Sequence, residues 1–588
     1  MVLVLQKARF TLLIIVSVLT IIIPASVYSE SVFGEYYSPE GIIYKSYSKQ
    51  WANEAKLKLL HEELLNNTYG QELKKLKYIN IYPDYSKRLQ NETGDYSISY
   101  RIMQNGIYEV LPECTISLFG GESLNSVDLM AGVLSKQYGK HFTQYYILKK
   151  ENIILTKDGH KSKYAEIRGL NLREKSSTQD LIWNIENIAA NDYVQIFGSK
   201  LARKHFSFPN LINEFEKNPN SWKQPVTSKY MYNLLPQDNL QLPLALEING
   251  LREYWLNLSN IDNKNEVFIE KPRLYVSEIN ELMHQQNSIQ ITLSWDTIAH
   301  QNQKYNYTLV TYGDFDPYPM PIITYENIPG SSKTLYGRYG AVVSKLNNVI
   351  HYNKHVGFYG KKTFRVFVSD SLGNMVSSNK LTIDLSQSPI QIIDNQLLYN
   401  DITDNHWAYN EIKIADGYNI ITGFPDKTFR ANQNVTRAEL LTILYRVYEL
   451  FGKDLAIINN NKILGDHWFI PIINDAIQKN IVDIEYYGND YKNFIFDQFI
   501  TREEVAMLCA QILKVNGSIN KNTNTNSNKL NSNITDIQNS KYYDEIQIVV
   551  KNNIIKGFPD NTYKPNEYLT RAQAVVIASR LLLHLQAN

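Results

Sequence analysis

The sequence predicts a multidomain α+β chain: an α/β region first, a β-sandwich in the middle and an all-α set of three repeats last. Three observations carry that prediction. Nearly the same phrase is written three times towards the carboxy-terminal end, as Thr436-Arg437-Ala438-Glu439, Thr501-Arg502-Glu503-Glu504 and Thr570-Arg571-Ala572-Gln573, and recurrence at a fixed period marks a repeat architecture. Residues from about 285 to 387 alternate apolar and polar in short runs between turn residues, the period of half-buried strands. Further upstream, the stretch from Asp128 to Thr143 is spaced as a helix.

The repeats come first in the argument because they agree beyond the shared phrase. Gly423-Phe424-Pro425-Asp426 lies 13 residues before Thr436, and Gly557-Phe558-Pro559-Asp560 lies 13 before Thr570. The middle copy is looser: Gly488 keeps the offset from Thr501, but Asp483 to Tyr487 reads as a small insertion. Each unit parses as helix, turn-rich loop, helix, with Ile412, Ile414 and Ile420 before the turn and Leu440, Leu441, Leu444 and Val447 after it. One unit alone has too little apolar surface to stand; three stacked together have enough.

Within the phrase, a Thr followed three residues later by Glu or Gln is a capping box, in which the hydroxyl and the side-chain carbonyl or carboxylate satisfy free amides of the first turn. The Arg is out of place there. It faces the positive end of the helix dipole, at a cost of a few tenths of a kcal/mol to roughly 1, which leads us to expect an anion, a carboxylate or phosphate, held by helix-start amides and the guanidinium fork.

The pattern Asp401-Ile402, His406-Trp407-Ala408, Gly423-Phe424-Pro425-Asp426, Phe429 and Thr436-Arg437-Ala438-Glu439 resembles an S-layer homology repeat, and residues 398 to 588 resemble a set of three. The resemblance implies a helical prong with pseudo-threefold symmetry, whose grooves bind anionic, pyruvylated secondary cell-wall polysaccharide. It implies contacts from Arg437, Arg502 and Arg571, with Trp407, Gly423, Gly557, Asp426 and Asp560 shaping the grooves. In the third copy the Trp position reads as Lys541 or Tyr542, and the second lacks a clean Gly-Phe-Pro-Asp, which puts one groove in doubt.

The amino-terminal end agrees about location. Lys7 and Arg9 precede an apolar run from Phe10 to Ile23, then Pro24 and the small-residue exit Val27-Tyr28-Ser29, as in a secretory signal; an amino-terminal anchor is the alternative, but the run is short for a span of about 18 apolar residues. A chain of 588 residues suggests roughly three to five domains. Its net charge of +1 gives no reason to propose nucleic acid or an anionic membrane as partner, and two cysteines, Cys114 and Cys509, make no disulfide framework.

In the middle region the runs Ile289 to Trp295, Tyr305 to Val310 and Phe364 to Val368 read as strands of a sandwich. Lys362 to Asn374 resembles the last hairpin of an immunoglobulin-like or fibronectin-like module, which implies a spacer in preference to a binding unit.

Around Leu134-Ser135-Lys136-Gln137-Tyr138-Gly139-Lys140-His141 the phrase resembles the zinc helix of a gluzincin-type metallopeptidase, whose motif would read His-Glu-x-x-His. The chemistry needs two imidazoles one turn apart to hold the metal and a Glu between them as general base. Lys136, Gln137 and Lys140 stand there instead. A protonated Lys, with a reference pKa of roughly 10.4, offers no lone pair, and Gln takes no proton from water. His141 is one residue past the ligand position. The third, acidic ligand of the resemblance falls on Glu186 or on Asn191. An ordinary amphipathic helix with two surface lysines is the competing interpretation.

The expected organisation is therefore a signal over 1–29, a degenerate metallopeptidase-like domain over 30–240, a connecting segment over 241–284, an Ig/FnIII-like sandwich over 285–390, repeats over 398–452, 460–515 and 534–588, and a polar linker over 516–533. The expected function is display at the cell wall of a Gram-positive-type surface protein, with S-layer neighbours as further partners. No cofactor, no bound metal, no membrane span after cleavage and no catalysis is expected. The alternative is a wall-anchored hydrolase, a peptidase or glycan-acting enzyme, using residues of another pattern.

Overall fold

A computed structural model describes residues 31–84, 93–171, 183–203, 237, 239, 242–262, 269–281, 289–298, 303–313, 316–329, 333–340, 343–346, 349–352, 360–387, 390–451, 466–482, 496–518 and 534–587. The expected signal at 1–29, the insertion at 483–487 with Gly488, and all but the first residues of the polar tract 516–533 lie outside them.

The first unit is built on a mixed sheet. Strands β1 (Gly34–Tyr37), β2 (Ile43–Ser46), β3 (Leu76–Ile81), β4 (Gly94–Ser97) and β7 (Cys114–Leu118) run in the order β1-β2-β3-β7-β4, with parallel pairing at β2–β3 and β3–β7 and antiparallel pairing at both edges. A parallel pair needs a crossover, supplied between β2 and β3 by α1 (Glu54–Leu65), whose first turn is capped by the Asn53 side chain. Between β4 and β7 stands a separate hairpin, β5 (Tyr100–Ile102) and β6 (Tyr108–Val110).

Against this sheet lies α2 (Val127–Glu151), opened by the Ser126 hydroxyl on the Leu129 amide and closed at Asn152, which takes a left-handed φ of 58°. Almost every side chain from Met130 to Leu148 is buried. Beyond it come α3 (Leu155–Asp158), α4 (Lys163–Arg168), α5 (Ile185–Phe197) and α6 (Lys200–Arg203). At Gly139 the backbones of α2 and α5 nearly touch: an added Cβ would sit 2.9 Å from the Ala190 carbonyl. A buried ion pair ties α4 to α5, with Arg168 Nη2 and Nε 2.7 and 2.9 Å from the two Asp192 oxygens and the Tyr164 hydroxyl donating at 2.6 Å.

The segment expected to connect over 241–284 is divided between its neighbours. Helix α7 (Leu251–Ser259) buries Trp255 against Phe142 and Tyr164 of the first unit, at centroid distances of 6.0 and 5.2 Å. Strand β8 (Leu274–Glu281) pairs with β9 (Ile289–Asp296) and opens the β unit. That unit spans Leu274 to Asn395, where 285–390 was expected. One sheet is β8, β9 and β12 (Thr334–Gly340); the other runs β11 (Asp316–Pro329), β10 (Lys304–Gly313), β15 (Lys361–Ser369), β17 (Leu381–Asp384), β18 (Gln391–Asn395), with β16 (Met375–Ser377) on β15. A small hairpin joins β13 (Val343–Leu346) to β14 (Val349–Tyr352). Trp295, Tyr305, Tyr307, Leu309, Phe364, Val366 and Val368 alternate into the space between the two larger sheets and are buried there.

Three pairs of helices follow: α8 (Tyr409–Gly417) with α9 (Arg437–Phe451), α10 (Ile470–Gln478) with α11 (Arg502–Val515), and α12 (Tyr543–Lys551) with α13 (Arg571–Ala587). Each short helix is followed by an Asn in the left-handed region, Asn419, Asn480 and Asn553 at φ 55, 59 and 56°, a conformation Asn tolerates better than other side chains.

The β unit and the first repeat share one core. Arg273, just before β8, sends Nε to Asp416 Oδ1 at 2.9 Å, Nη1 to Asn419 Oδ1 at 2.8 Å, and Nη2 to the carbonyls of Asp416 and Ile421. Asp416 is itself buried and also accepts from Asn395 and Tyr399. Removing one partner of a buried pair strands the other, at a cost of about 3–5 kcal/mol. Arg273→Met is therefore expected to lower the unfolding free energy of this joint body by about that amount, and adding Asp416→Asn should restore part of it; denaturant titration of both variants checks this.

Candidate functional site

The three helices that follow the repeated phrase begin in a closed ring. The backbone amides of Arg437 and Ala438 donate to the carbonyls of Gln498 and Phe496, at 2.9 and 3.1 Å. Those of Arg502 and Glu503 donate to Glu567 and Pro565, at 2.9 and 3.0 Å, and those of Arg571 and Ala572 return to Gln433 and Ala431 of the first repeat, at 2.8 and 3.0 Å. Isolated bridges at Thr436↔Phe499, Thr501↔Tyr568 and Asn434↔Thr570 repeat the same step. Each copy thus supplies the carbonyls that the preceding copy's helix start lacks.

All three capping boxes form. The Thr436, Thr501 and Thr570 amides donate to Glu439, Glu504 and Gln573 at 2.9, 3.2 and 3.0 Å. With the box and the ring together, the leading amides are satisfied within the protein. The expectation that helix-start amides take the anion is therefore corrected: only the guanidinium groups and their surroundings are left for that role.

Those surroundings differ. Arg437 is closed in an ion pair, with Nε and Nη2 2.8 and 2.6 Å from Glu504 Oε1 and Nη1 on the Gln498 side chain. Arg571 and Arg502 instead turn into the Gly-Phe-Pro-Asp loops. Arg571 donates from Nε to the Phe429 carbonyl at 2.9 Å and from Nη2 to Thr422 at 3.1 Å, over the rings of Phe424 and Phe429 at 4.8 and 5.0 Å. Arg502 matches it, donating to Tyr563 and Lys556 at 2.8 and 3.2 Å over Phe558 and Tyr563 at 4.8 and 4.9 Å. Phe424 also carries Arg430 and Phe558 also carries Lys564, at 3.9 and 4.5 Å. Burial depresses the pKa of both Arg502 and Arg571. The ring-flanking cations and Glu504 were not singled out from sequence, although Arg430 and Lys564 stand at matched positions, which was the available signal.

The remaining site residues divide into two kinds. Asp426 and Asp560 close their own turns, each accepting from the amide and hydroxyl of the Thr two residues on; those bonds, with Arg430, hold the Asp426 carboxyl down to about 2. Gly423 is required by the close approach of the Tyr399 ring, into which a Cβ would project, whereas at Gly557 the nearest atom is the Thr562 carbonyl at 3.2 Å. Trp407 is 62% exposed, and so is Trp468, at 56%, in the matching His-Trp pair of the second copy. The third copy carries Lys541 there: His406 Nδ1, His467 Nδ1 and the Ser540 hydroxyl each accept from the amide two residues on, which aligns Lys541 with the two indoles and Tyr542 with buried Ala408 and Phe469.

In the first unit, Lys140 Nζ lies 3.7 Å from Glu186 Oε1 on α5, and Gln144 Nε2 donates to the same oxygen at 2.8 Å. Glu186, one of the two positions expected for an acidic ligand, thus pairs with Lys140, and Asn191, the other, is buried on α5. Gln137 packs against Gly94 of β4, and its buried Oε1 has no hydrogen-bond partner among the described residues. Lys136, Gln137 and Lys140 do not fit zinc, since two Lys side chains and a carboxamide offer neither imidazole nor carboxylate, and among the described residues no group of His, Cys, Asp or Glu could hold a metal ion. His141 belongs to the core, with Nε2 on the Glu72 carbonyl at 2.8 Å and Nδ1 on the Tyr96 hydroxyl at 2.9 Å.

The sequence profile of the S-layer homology domain matches residues 398–441 and 533–575. A cellulosome-anchoring protein of Acetivibrio thermocellus is 29% identical over 168 residues, 28% of this chain and 35% of that protein. Exoglucanase XynX of the same organism is 27% identical over 229 residues, 38% and 20% of the two chains, and outer membrane protein SlpA of Thermus thermophilus is 35% identical over 57 residues, 10% and 6%. The chain thus spans between a fifth and about a third of the first two relatives' length.

Two expected outcomes follow from this geometry. Gly423→Ala should destabilise the first repeat by about 1–3 kcal/mol, since overpacking displaces Tyr399, while Gly557→Ala, whose Cβ would press on the Thr562 carbonyl at 3.2 Å, should cost less; thermal melts compare them. Burial lowers the His141 pKa to about 4 from 6.5. Below 6.5 the unfolded chain takes up a proton that the folded unit refuses until about 4, so stability falls as pH falls across that window, by up to about 3 kcal/mol. Hydrogen exchange of α2 amides between pH 7 and 4 reads this, and His141→Gln should flatten the profile.

Proposed function

We propose, from the S-layer homology domains that residues 398–575 carry, that this chain is held non-covalently at the cell wall through the interfaces between its three carboxy-terminal repeats. The wall polymer is an anionic, pyruvylated polysaccharide, and the chain displays the α/β unit and the β unit outward from it. The observation that carries this reading is the closed ring of helix starts, which seats Arg502 and Arg571 against the Gly557 and Gly423 loops with aromatic rings beneath them. A guanidinium fork beside aromatic faces suits a sugar acid: the fork takes the carboxylate and the rings take the sugar's apolar face. Anchoring is what the name of the cellulosome-anchoring relative describes for that protein.

The displayed α/β unit is, in this reading, a metallopeptidase-like domain without catalysis. Support comes from Lys140, whose ammonium faces Glu186 where a metal would need that carboxylate. No described helix is long and apolar enough to cross a membrane.

Cosedimentation of the full chain with purified walls, before and after removal of ketal-pyruvate, tests the anchor: binding is expected to be lost on removal, and unchanged binding would count against it. For the displayed unit, zinc content of the purified chain and turnover of casein or peptidoglycan are expected at background. Stoichiometric zinc or clear turnover would instead favour a wall-anchored hydrolase.

A further inference from the structure

One face of the first unit's sheet is packed and the other is not. Tyr44, Ile79, Ile81, Tyr96, Ile116 and Leu118 point to the side that α1 and α2 cover, and all are buried. The side chains that point the other way stay partly or fully exposed on every one of the five strands. Parallel strands are ordinarily covered on both faces, and β2 and β7 both run parallel to β3 between them, so an open face is unusual for the pairing that builds it.

The register sorts that face into rows running across the strands. The middle row is polar, with Glu35, Lys45, Asn80, Ser117 and Asp95 side by side. Two residues along each strand, on one flank, stand Tyr37, Ile43, Tyr78 and Thr115. On the other flank Tyr47, Tyr82 and Phe119 continue β2, β3 and β7, with the Tyr47 amide on the Ile81 carbonyl and the Tyr82 amide on the Leu118 carbonyl, both at 2.8 Å. Tyr47 and Tyr82 stack at 5.0 Å and Tyr82 meets Phe119 at 5.6 Å, so these three rings turn their faces to one another and form a ridge. Tyr37, 64% exposed, and the half-buried Tyr78 stack on no ring among the described residues. From ridge to tyrosine row the trough is about 13 Å wide, and five strands span about 19 Å, room for one extended chain of about four hexose rings.

Charge and hydrogen bonding select the occupant. Lys45 pairs with Glu35 at 3.7 Å, which leaves exposed Asp95 to make the row's net sign negative. A polyanion is repelled there, so the face does not suit the acidic polymer of the anchor. An apolar protein surface would strip water from Asn80, Ser117 and the ion pair without replacing its hydrogen bonds. Sugar hydroxyls both donate and accept, and the apolar face of a pyranose ring packs against an exposed tyrosine. Tyr37 and Tyr78 are two strands apart, about 10 Å, close to the repeat of two β-1,4-linked rings, whereas an α-1,4-linked chain coils away from a flat face.

We propose that the open face of the first unit's sheet binds a neutral β-1,4-linked glucan, laid across the strands with its hydroxyls on Lys45, Asn80 and Ser117 and its rings against Tyr37 and Tyr78. This surface is separate from the repeats and does not depend on the anchoring reading above.

Affinity electrophoresis of the full chain through hydroxyethylcellulose, soluble starch and polygalacturonate reads the preference, and retardation is expected in the first alone. In calorimetric titration with cellohexaose, Tyr78→Ala and Asn80→Asp are each expected to weaken binding at least tenfold, and Tyr78→Phe to keep it. Asn80→Asp is isosteric and reads the loss even where Tyr78→Ala lowers the melting temperature. No retardation in hydroxyethylcellulose, equal retardation in starch or polygalacturonate, or unchanged affinity in Asn80→Asp would overturn the assignment. So would a dimer in sedimentation equilibrium that Tyr78→Ala disperses, which gives the face to a second copy. Excess soluble wall polysaccharide, which would fill the anchor, is expected to leave the retardation unchanged; displacement would move the glucan to the repeats and equally overturn the assignment.

Discussion

The exchange of backbone hydrogen bonds at the starts of α9, α11 and α13 is the constraint on which the carboxy-terminal half depends. A helix start leaves its first amides unpaired, and here each copy resolves that deficit with carbonyls from the next, the third returning to the first. No copy can complete its helix start alone, so the ring closes or the interfaces do not exist. The closing contact spans a long separation, with Arg571 on the Phe429 carbonyl 142 residues away. Loop-closure entropy grows only logarithmically with length, so insertions between copies are tolerated so long as the carbonyls of Gln433, Gln498 and Glu567 meet their amides.

The ring also explains why an Arg sits where a helix dipole disfavours it. With the leading amides already occupied, the guanidinium is directed sideways across the interface, onto carbonyls and aromatic faces of the neighbouring loop or onto its capping-box acid. The unfavourable position is offset by hydrogen bonds and cation–π contacts, each of the latter about 0.5–2 kcal/mol. In the proposed anchoring, structure and binding chemistry share one residue: the Arg that packs the interface is also the charge offered to an acidic ligand.

Legibility from sequence followed the range of the interaction. The capping boxes were readable because their partners lie three residues apart, and the repeat phrase because copies could be laid over one another. Arg437 with Glu504 was not, since a partner 67 residues away leaves no local trace; nor was Lys140 with Glu186, which stands on a different helix. Strand β8 escaped because its alternation breaks at a register shift between Val276 and Glu278, and α7 because nothing in its sequence says which unit Trp255 will enter. Helix α2, buried around nearly its whole girth by the sheet, α1 and α5, has no polar stripe to betray its orientation.

The first unit shows what such a buried helix requires when polar groups face inward. Lys140 and Glu186 are both largely shielded from water, and a lone charge there would be costly; each is tolerated because the other is present, with Gln144 supplying a further donor. The pair makes the α2–α5 contact self-sufficient in charge. A metal-dependent domain couples its stability to metal supply and to the protonation of its ligands, whereas this contact is completed by the chain's own ammonium.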